Sequence, residues 1–141
     1  MLIFGITLSF FLSSCFEENN LYEGTWEGTT SQGLPISFEV NMYGSITLHV
    51  TVSCSYPSTH DEYLGGNGIV IDNTANIFIK NWNNEEEVEV GTDLLMTFTS
   101  KDKATGSIDS ELYNYSYISG STLVTGSTTL FPKITFFVNK D

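Results

Sequence analysis

From Ile46 to Cys54 every second residue is apolar: Ile46, Leu48, Val50, Val52 and Cys54 alternate with Thr47, His49, Thr51 and Ser53. Successive side chains of a strand point to opposite faces, so this spacing describes a strand with one face buried and the other wet. It suits no helix. The same period of two recurs along the chain from Leu21 onward, in segments rich in Thr, Val, Ile and aromatic residues and punctuated by Gly and Asn.

Read in order, Tyr22 to Thr30 is the first strand, with Tyr22 and Trp26 on one face and Glu23, Thr25, Glu27 and Thr29 on the other. Trp26 is its expected core anchor. Ser31 to Pro35 turns the chain, and Ile36, Phe38 and Val40 then point inward. Asn41-Met42-Tyr43-Gly44 is the next turn, ahead of the long alternation. Ser55 to Gly68, with Pro57 and the cluster Gly65-Gly66-Asn67-Gly68, reads as an irregular loop. Shorter strands are expected at Ile69–Ile71, Ala75–Lys80 and Glu86–Val90. A hairpin of Leu94–Ser100 and Ala104–Ser110 turns at Lys101-Asp102-Lys103, and Leu112–Ile118, Thr122–Gly126 and Lys133–Val138 follow. The expected fold is all-β, an antiparallel meander of about nine or ten short strands forming a small barrel or a β-sandwich.

The run Gly24 to Val40, GTWEGTTSQGLPISFEV, resembles the opening of a family of small bacterial secreted and lipid-anchored β-domains whose first hairpin has the form GTWxGTTSQGxPISFxV. Phe98 to Gly106, FTSKDKATG, is similar to that family's hairpin FxSxxxAxG, and the inward strand ending in Cys54 fits as well. The resemblance implies an all-β fold. It transfers no catalytic residue, because the family has no established activity. Gly24-Thr25-Trp26 is also similar to the GxW opening of lipocalin-like and avidin-like barrels, which bind small apolar ligands.

Ahead of the β-rich part, Leu2 to Leu12 is an uncharged apolar run. It has the length of a signal-peptide core and falls well short of the roughly 20 residues that span a bilayer. Leu12-Ser13-Ser14-Cys15 resembles a lipobox, in which the cysteine receives diacylglycerol on its sulfur and becomes the first residue of the mature protein. Residues 1–14 are then a lipoprotein signal peptide, 15–20 an acidic tether, and 21–141 a single domain. Met1 to Phe4 lack the Lys or Arg with which such peptides ordinarily open. The pair Glu17-Glu18 resembles a surface-export signal of Gram-negative lipoproteins. An outer-membrane lipoprotein exposed at the cell surface is the expectation, with a periplasmic orientation as its alternative.

Seventeen acidic residues against five basic ones, all lysine, give a net charge of −12. Such a surface repels phosphate backbones, so nucleic acid is excluded as a partner, and the acyl chains must supply the membrane affinity. Lipidation consumes Cys15 and leaves Cys54 as a lone thiol, which its place in the alternation buries.

No CxxC or HExxH occurs, and no cofactor is expected. The acidic run Glu85-Glu86-Glu87-Val88-Glu89 matches no calcium loop and suits a solvated strand edge. His60-Asp61-Glu62 places a histidine beside two carboxylates, but hydrolysis would require a nucleophile or metal brought to them by the fold. His49 faces outward from a regular strand as a surface residue. Tyr113, Tyr115 and Tyr117 share one strand face and, with Trp82, are the candidate ligand-binding residues.

These features point to a non-enzymatic, lipid-anchored envelope domain that binds a glycan or protein partner. A lipocalin-like carrier, with a cavity lined by Trp26, Phe38, Leu48 and Phe98, is the alternative reading. A metal-dependent or hydrolytic enzyme built on His60 and its neighbouring carboxylates is a minor third.

Overall fold

The first strand of the protein pairs with both the second and the last, and that closes the sheet on itself. The computed structural model describes residues 20–56, 58–81 and 90–141. Its strands are β1 (Gly24–Thr30), β2 (Pro35–Val40), β3 (Ser45–Cys54), β4 (His60–Ile69), β5 (Thr74–Asn81), β6 (Gly91–Ser100), β7 (Lys103–Ile108), β8 (Glu111–Ser119), β9 (Thr122–Phe131) and β10 (Ile134–Lys140). Eight of them form a closed antiparallel barrel in the order β1-β10-β7-β6-β5-β4-β3-β2. The other two, β8 and β9, form a separate two-stranded sheet. The barrel alternative is therefore the correct one, and the meander is interrupted once. Strand β7 pairs directly with β10, Ile108 opposite Ile134, so the intervening chain leaves the barrel wall as a hairpin.

An eight-stranded barrel encloses about the space that its own side chains fill. Here the inward positions of β3, Ile46 to Cys54, are all buried, as the alternation requires. Trp26, Phe38 and Phe98 pack on one another, with ring centroids 5.5 Å apart for Trp26–Phe38, 5.1 Å for Trp26–Phe98 and 6.2 Å for Phe38–Phe98. Tyr22 stacks on Phe98 at 4.2 Å, and the Trp26 indole N–H donates to the Tyr22 carbonyl at 2.9 Å. Trp26, Phe38, Leu48 and Phe98 thus belong to one packed cluster. At the other end Gln32 clamps the β1–β2 turn to β3. Its amide donates to the Ser53 carbonyl at 3.1 Å and accepts from the Ser53 N–H at 2.9 Å.

The two barrel ends differ in what they carry. The turns at 41–44, 70–73 and 101–102, the chain entry at Asn20 and the C-terminus lie at one end. The β1–β2 and β3–β4 connections and the β8–β9 hairpin lie at the other. Entry point and hairpin are on opposite ends of the barrel.

Ser55 to Gly68 is not one irregular loop. Strand β4 runs through the glycine cluster and pairs with β3 along its whole length, from Cys54↔His60 to Ser45↔Ile69. Turn chemistry misleads there, because the glycines serve close approach rather than a bend. A Cβ on Gly66 would lie 2.4 Å from the Phe78 carbonyl oxygen and 2.9 Å from the Ile77 side chain. The strand expected at Ile69–Ile71 also dissolves. Ile69 ends β4, and Ile71 makes only an isolated bridge to Thr74 around a turn in which Asp72 has φ 56°. The strand β9 extends five residues past the expected Gly126, to Phe131. Residues 86–89 of the strand expected at Glu86–Val90 lie outside the described residues, as do Cys15 and the rest of the signal segment.

Overpacking at Gly66 should therefore be felt. Gly66→Val is expected to lower the unfolding free energy by roughly 1–3 kcal/mol in urea denaturation. Asn67→Val, on the exposed face of the same strand, should stay within about 0.5 kcal/mol. A loop at this position would tolerate both.

Candidate functional site

The hairpin β8–β9 is antiparallel, with Tyr113 opposite Thr128, Tyr115 opposite Gly126 and Tyr117 opposite Val124. The alternation of β8 sends the three tyrosines to one face and Leu112, Asn114, Ser116 and Ile118 to the other. Tyr115 lies across the sheet rather than standing on it. A Cβ at Gly126 would come within 2.5 Å of the Tyr115 hydroxyl oxygen, so the missing side chain opposite is what lets the ring lie down.

A fourth ring completes the row. Tyr56, between β3 and β4, stacks on Tyr113 with centroids 4.7 Å apart and lies 6.2 Å from Tyr115, and Tyr115 is 6.3 Å from Tyr117. The rings form a file that starts against the barrel and ends near the hairpin tip. Tyr113 packs against the core, Tyr115 is half-buried, and Tyr117 is 55% exposed. The innermost part of the row is thus structural and the outermost is open. No sequence signal marked Tyr56, because it falls where the alternation of β3 has already ended.

The root of the hairpin is stapled to the barrel. Ser55 donates its N–H to the Leu130 carbonyl at 2.9 Å and its hydroxyl to the Thr129 carbonyl at 2.7 Å. The register slips between Glu111 and Leu112, and the extra residue lets Leu130 and Phe131, adjacent in sequence, both be buried. Across the middle of the sheet a shallow depression is lined by Asn114, Tyr115, Ser116, Thr125, Gly126 and Ser127. From Leu112 to Pro132 the chain carries no charged side chain, although the protein bears −12 overall. The tyrosine face is therefore flat rings flanked by Val124, Gly126 and the hydroxyls of Ser119, Thr122 and Thr128, while Asn114, Ser116, Thr125 and Ser127 share the opposite face with the exposed Leu112, Ile118 and Leu123.

The other candidates sit elsewhere. Trp82 and the run Glu85 to Glu89 lie outside the described residues. Among the described residues no group of three or more His, Cys, Asp or Glu side chains is placed to hold a metal ion. His60 and Glu62 do meet, with Nε2 2.8 Å from Glu62 Oε1, while Asp61 faces solvent. Glu62 is buried, and its second oxygen accepts from the Asn81 amide at 3.1 Å. His60 Nδ1 is 2.6 Å from the Ser58 carbonyl, which can only accept. Through the Glu62–Asn81 bond this arrangement ties β4 to β5. His49, expected as a simple surface residue, is half-buried and stacks on Tyr63 at 5.3 Å.

Cys54 lies inside the barrel, at the end from which the hairpin departs. Burial, reinforced by the nearby carboxylates of Glu62, Asp61 and Glu111, pushes its thiol up to about 12. Burial also raises Glu111, at the hairpin root. A thiol so placed is inert. In comparisons with known proteins, no family model, no curated protein and no solved structure matches this chain.

Cys54 is expected to resist alkylation by iodoacetamide in the folded protein and to react once urea unfolds it. The folded thiol holds its proton above the ordinary value of 9.0. Its stabilising contribution is thus complete below that pH and is lost as pH rises toward about 12. Cys54→Ala should accordingly show a shallower decline of the unfolding midpoint over that window. Rapid alkylation of the native protein would place the thiol in contact with solvent.

Proposed function

We propose that this protein is a non-enzymatic binding domain, tethered to the bacterial envelope by lipid on Cys15, that holds an uncharged glycan on the tyrosine face of the β8–β9 hairpin. The observation that supports this most is the file of rings ending in the open Tyr117, on a stretch from Leu112 to Pro132 without charge. Sugar rings have apolar faces and hydroxyl edges, so flat aromatic surface bordered by the hydroxyls of Ser119, Thr122 and Thr128 suits them. A charged glycan gains nothing there, and an anionic one is repelled by the rest of the surface. The barrel interior supports the carrier reading less well, because the side chains named for its cavity pack on each other.

Chain entry and hairpin lie on opposite ends of the barrel, so a lipid on Cys15 would present the hairpin away from the membrane. The acidic pair after Cys15 is the reason to orient the domain toward the cell exterior.

Titration of the full chain with neutral and acidic oligosaccharides tests the binding reading. Neutral ones should bind, and Tyr117→Ala should weaken them by roughly 1 kcal/mol, about fivefold. Phe78→Ala, an exposed ring on the barrel wall, should change nothing. Binding that survives loss of both Tyr115 and Tyr117, or capture of a protein but no glycan, would overturn the assignment. The tether is tested separately by intact mass of membrane-extracted protein. A chain starting at Cys15 and carrying acyl groups is expected, and Cys15→Ala should abolish it; a chain retaining residues 1–14 would refute it.

A further inference from the structure

The end of the barrel opposite the hairpin carries an apolar rim that the binding reading does not use. Leu21, Met42, Tyr43, Ile69 and Ile71 are all exposed there, Tyr43 by 67% and Ile71 by 66%. They belong to three segments tied together by main-chain bonds. Asn20 N–H donates to the Met42 carbonyl at 3.0 Å, Val70 N–H to the Gly44 carbonyl at 2.8 Å, and Ser45 pairs with Ile69. The turn that bears Met42 and Tyr43 is held by Asn41, whose side-chain oxygen accepts from the N–H groups of Tyr43 and Ser45. These side chains therefore project from fixed backbone. The exposed apolar residues of the barrel wall, Tyr63, Phe78, Leu95 and Phe137, are instead spread over four strands.

The charge of the protein is also unevenly shared. Three of the five lysines, Lys101, Lys103 and Lys140, are at the rim end, against Glu23, Glu39, Asp72, Asp102 and Asp141. The lysines partly offset the acidic groups of this end, in a chain of net charge −12. Aliphatic side chains, a tyrosine and lysines together are the composition that settles at a membrane interface.

Chain length decides what covers the rim. Asn20 is the fifth residue after Cys15, and a fully extended chain of that length reaches at most roughly 18 Å. A lipid on Cys15 therefore holds the end of the barrel that carries Asn20 within that distance of the bilayer surface. We propose that the Leu21–Tyr43–Ile71 rim rests in the headgroup region of the membrane that holds the lipid anchor, fixing the barrel upright with its hairpin pointing outward. This rests on the lipid-anchor reading. The acyl chains hold the protein to the membrane, and the rim sets its orientation.

Nitroxide labels on the lipidated full chain test it, in vesicles of phosphatidylethanolamine and phosphatidylglycerol. Cys54 is buried and takes up no label, so Ile71→Cys and Tyr43→Cys report on the rim and Ser121→Cys on the hairpin tip. On reconstitution from detergent, collision with a water-soluble relaxation agent should fall several-fold at the two rim positions and stay unchanged at Ser121→Cys. Adding Leu21→Asp and Met42→Asp should restore collision at Ile71→Cys while leaving the protein membrane-bound. Equal exposure of rim and tip in acylated protein, confirmed by mass, would overturn the rim proposal and leave the anchor standing. Protection that vanishes as protein is diluted in lipid would reveal a second copy as the occupant and overturn it too. An unacylated chain would refute the anchor itself, and the proposal with it.

Discussion

The structure depends on the ladder between its first and last strands. With Trp26 opposite Lys140 on one side and Phe38 on the other, β1 has no free edge, and the barrel around it exposes none. Closure fixes more than stability. It sets the chain entry, the 41–44 and 70–73 turns and the C-terminus at one end, and forces the excursion between β7 and β10 to leave from the other. The axis from the chain entry at Asn20 to the tyrosines follows from that single pairing and from the even number of strands.

A hairpin of two strands is marginal by itself in water. This one is supported at its root by the Ser55 bonds to Thr129 and Leu130, by burial of Leu130 and Phe131, and by Tyr56 stacked on Tyr113. Support declines toward the tip, and exposure of the rings rises in the same direction. The chemistry is graded along the same line. Tyr113 contributes mainly to holding the hairpin, and Tyr117 has most of its surface available to a partner. The rim at the far end carries charged groups of both signs beside its exposed apolar side chains, whereas the hairpin from Leu112 to Pro132 carries no charge. As proposed, one end meets lipid and the other a hydroxyl-rich solute.

Much of this was legible in the residues because a strand's period of two is rigid. Ile46 to Cys54 and Ile36, Phe38 and Val40 are inward as the alternation demands, and the row Tyr113, Tyr115 and Tyr117 does share a face. Where reading failed, glycine was the cause. Gly66 and Gly68 have the signature of a turn, yet they let β4 pass close to β5, and only a neighbour's position distinguishes those uses. Barrel closure was not readable either, since pairing of β1 with β10 joins residues that no local pattern links. The same holds for Tyr56, which acquires its role by standing beside a hairpin distant in sequence, and for the His60–Glu62–Asn81 set, where adjacency suggested chemistry and the fold supplies a strand-to-strand tie.

The claim that the hairpin, and not the barrel interior, is the binding surface is most directly tested by mapping amide chemical shifts of the full chain in micelles as a neutral oligosaccharide is added. The account predicts changes confined to Tyr56, to Tyr113 through Tyr117 and to Val124 through Thr128. Changes centred on Trp26, Phe38, Leu48 and Phe98 would mean that a ligand enters the barrel, and would contradict it.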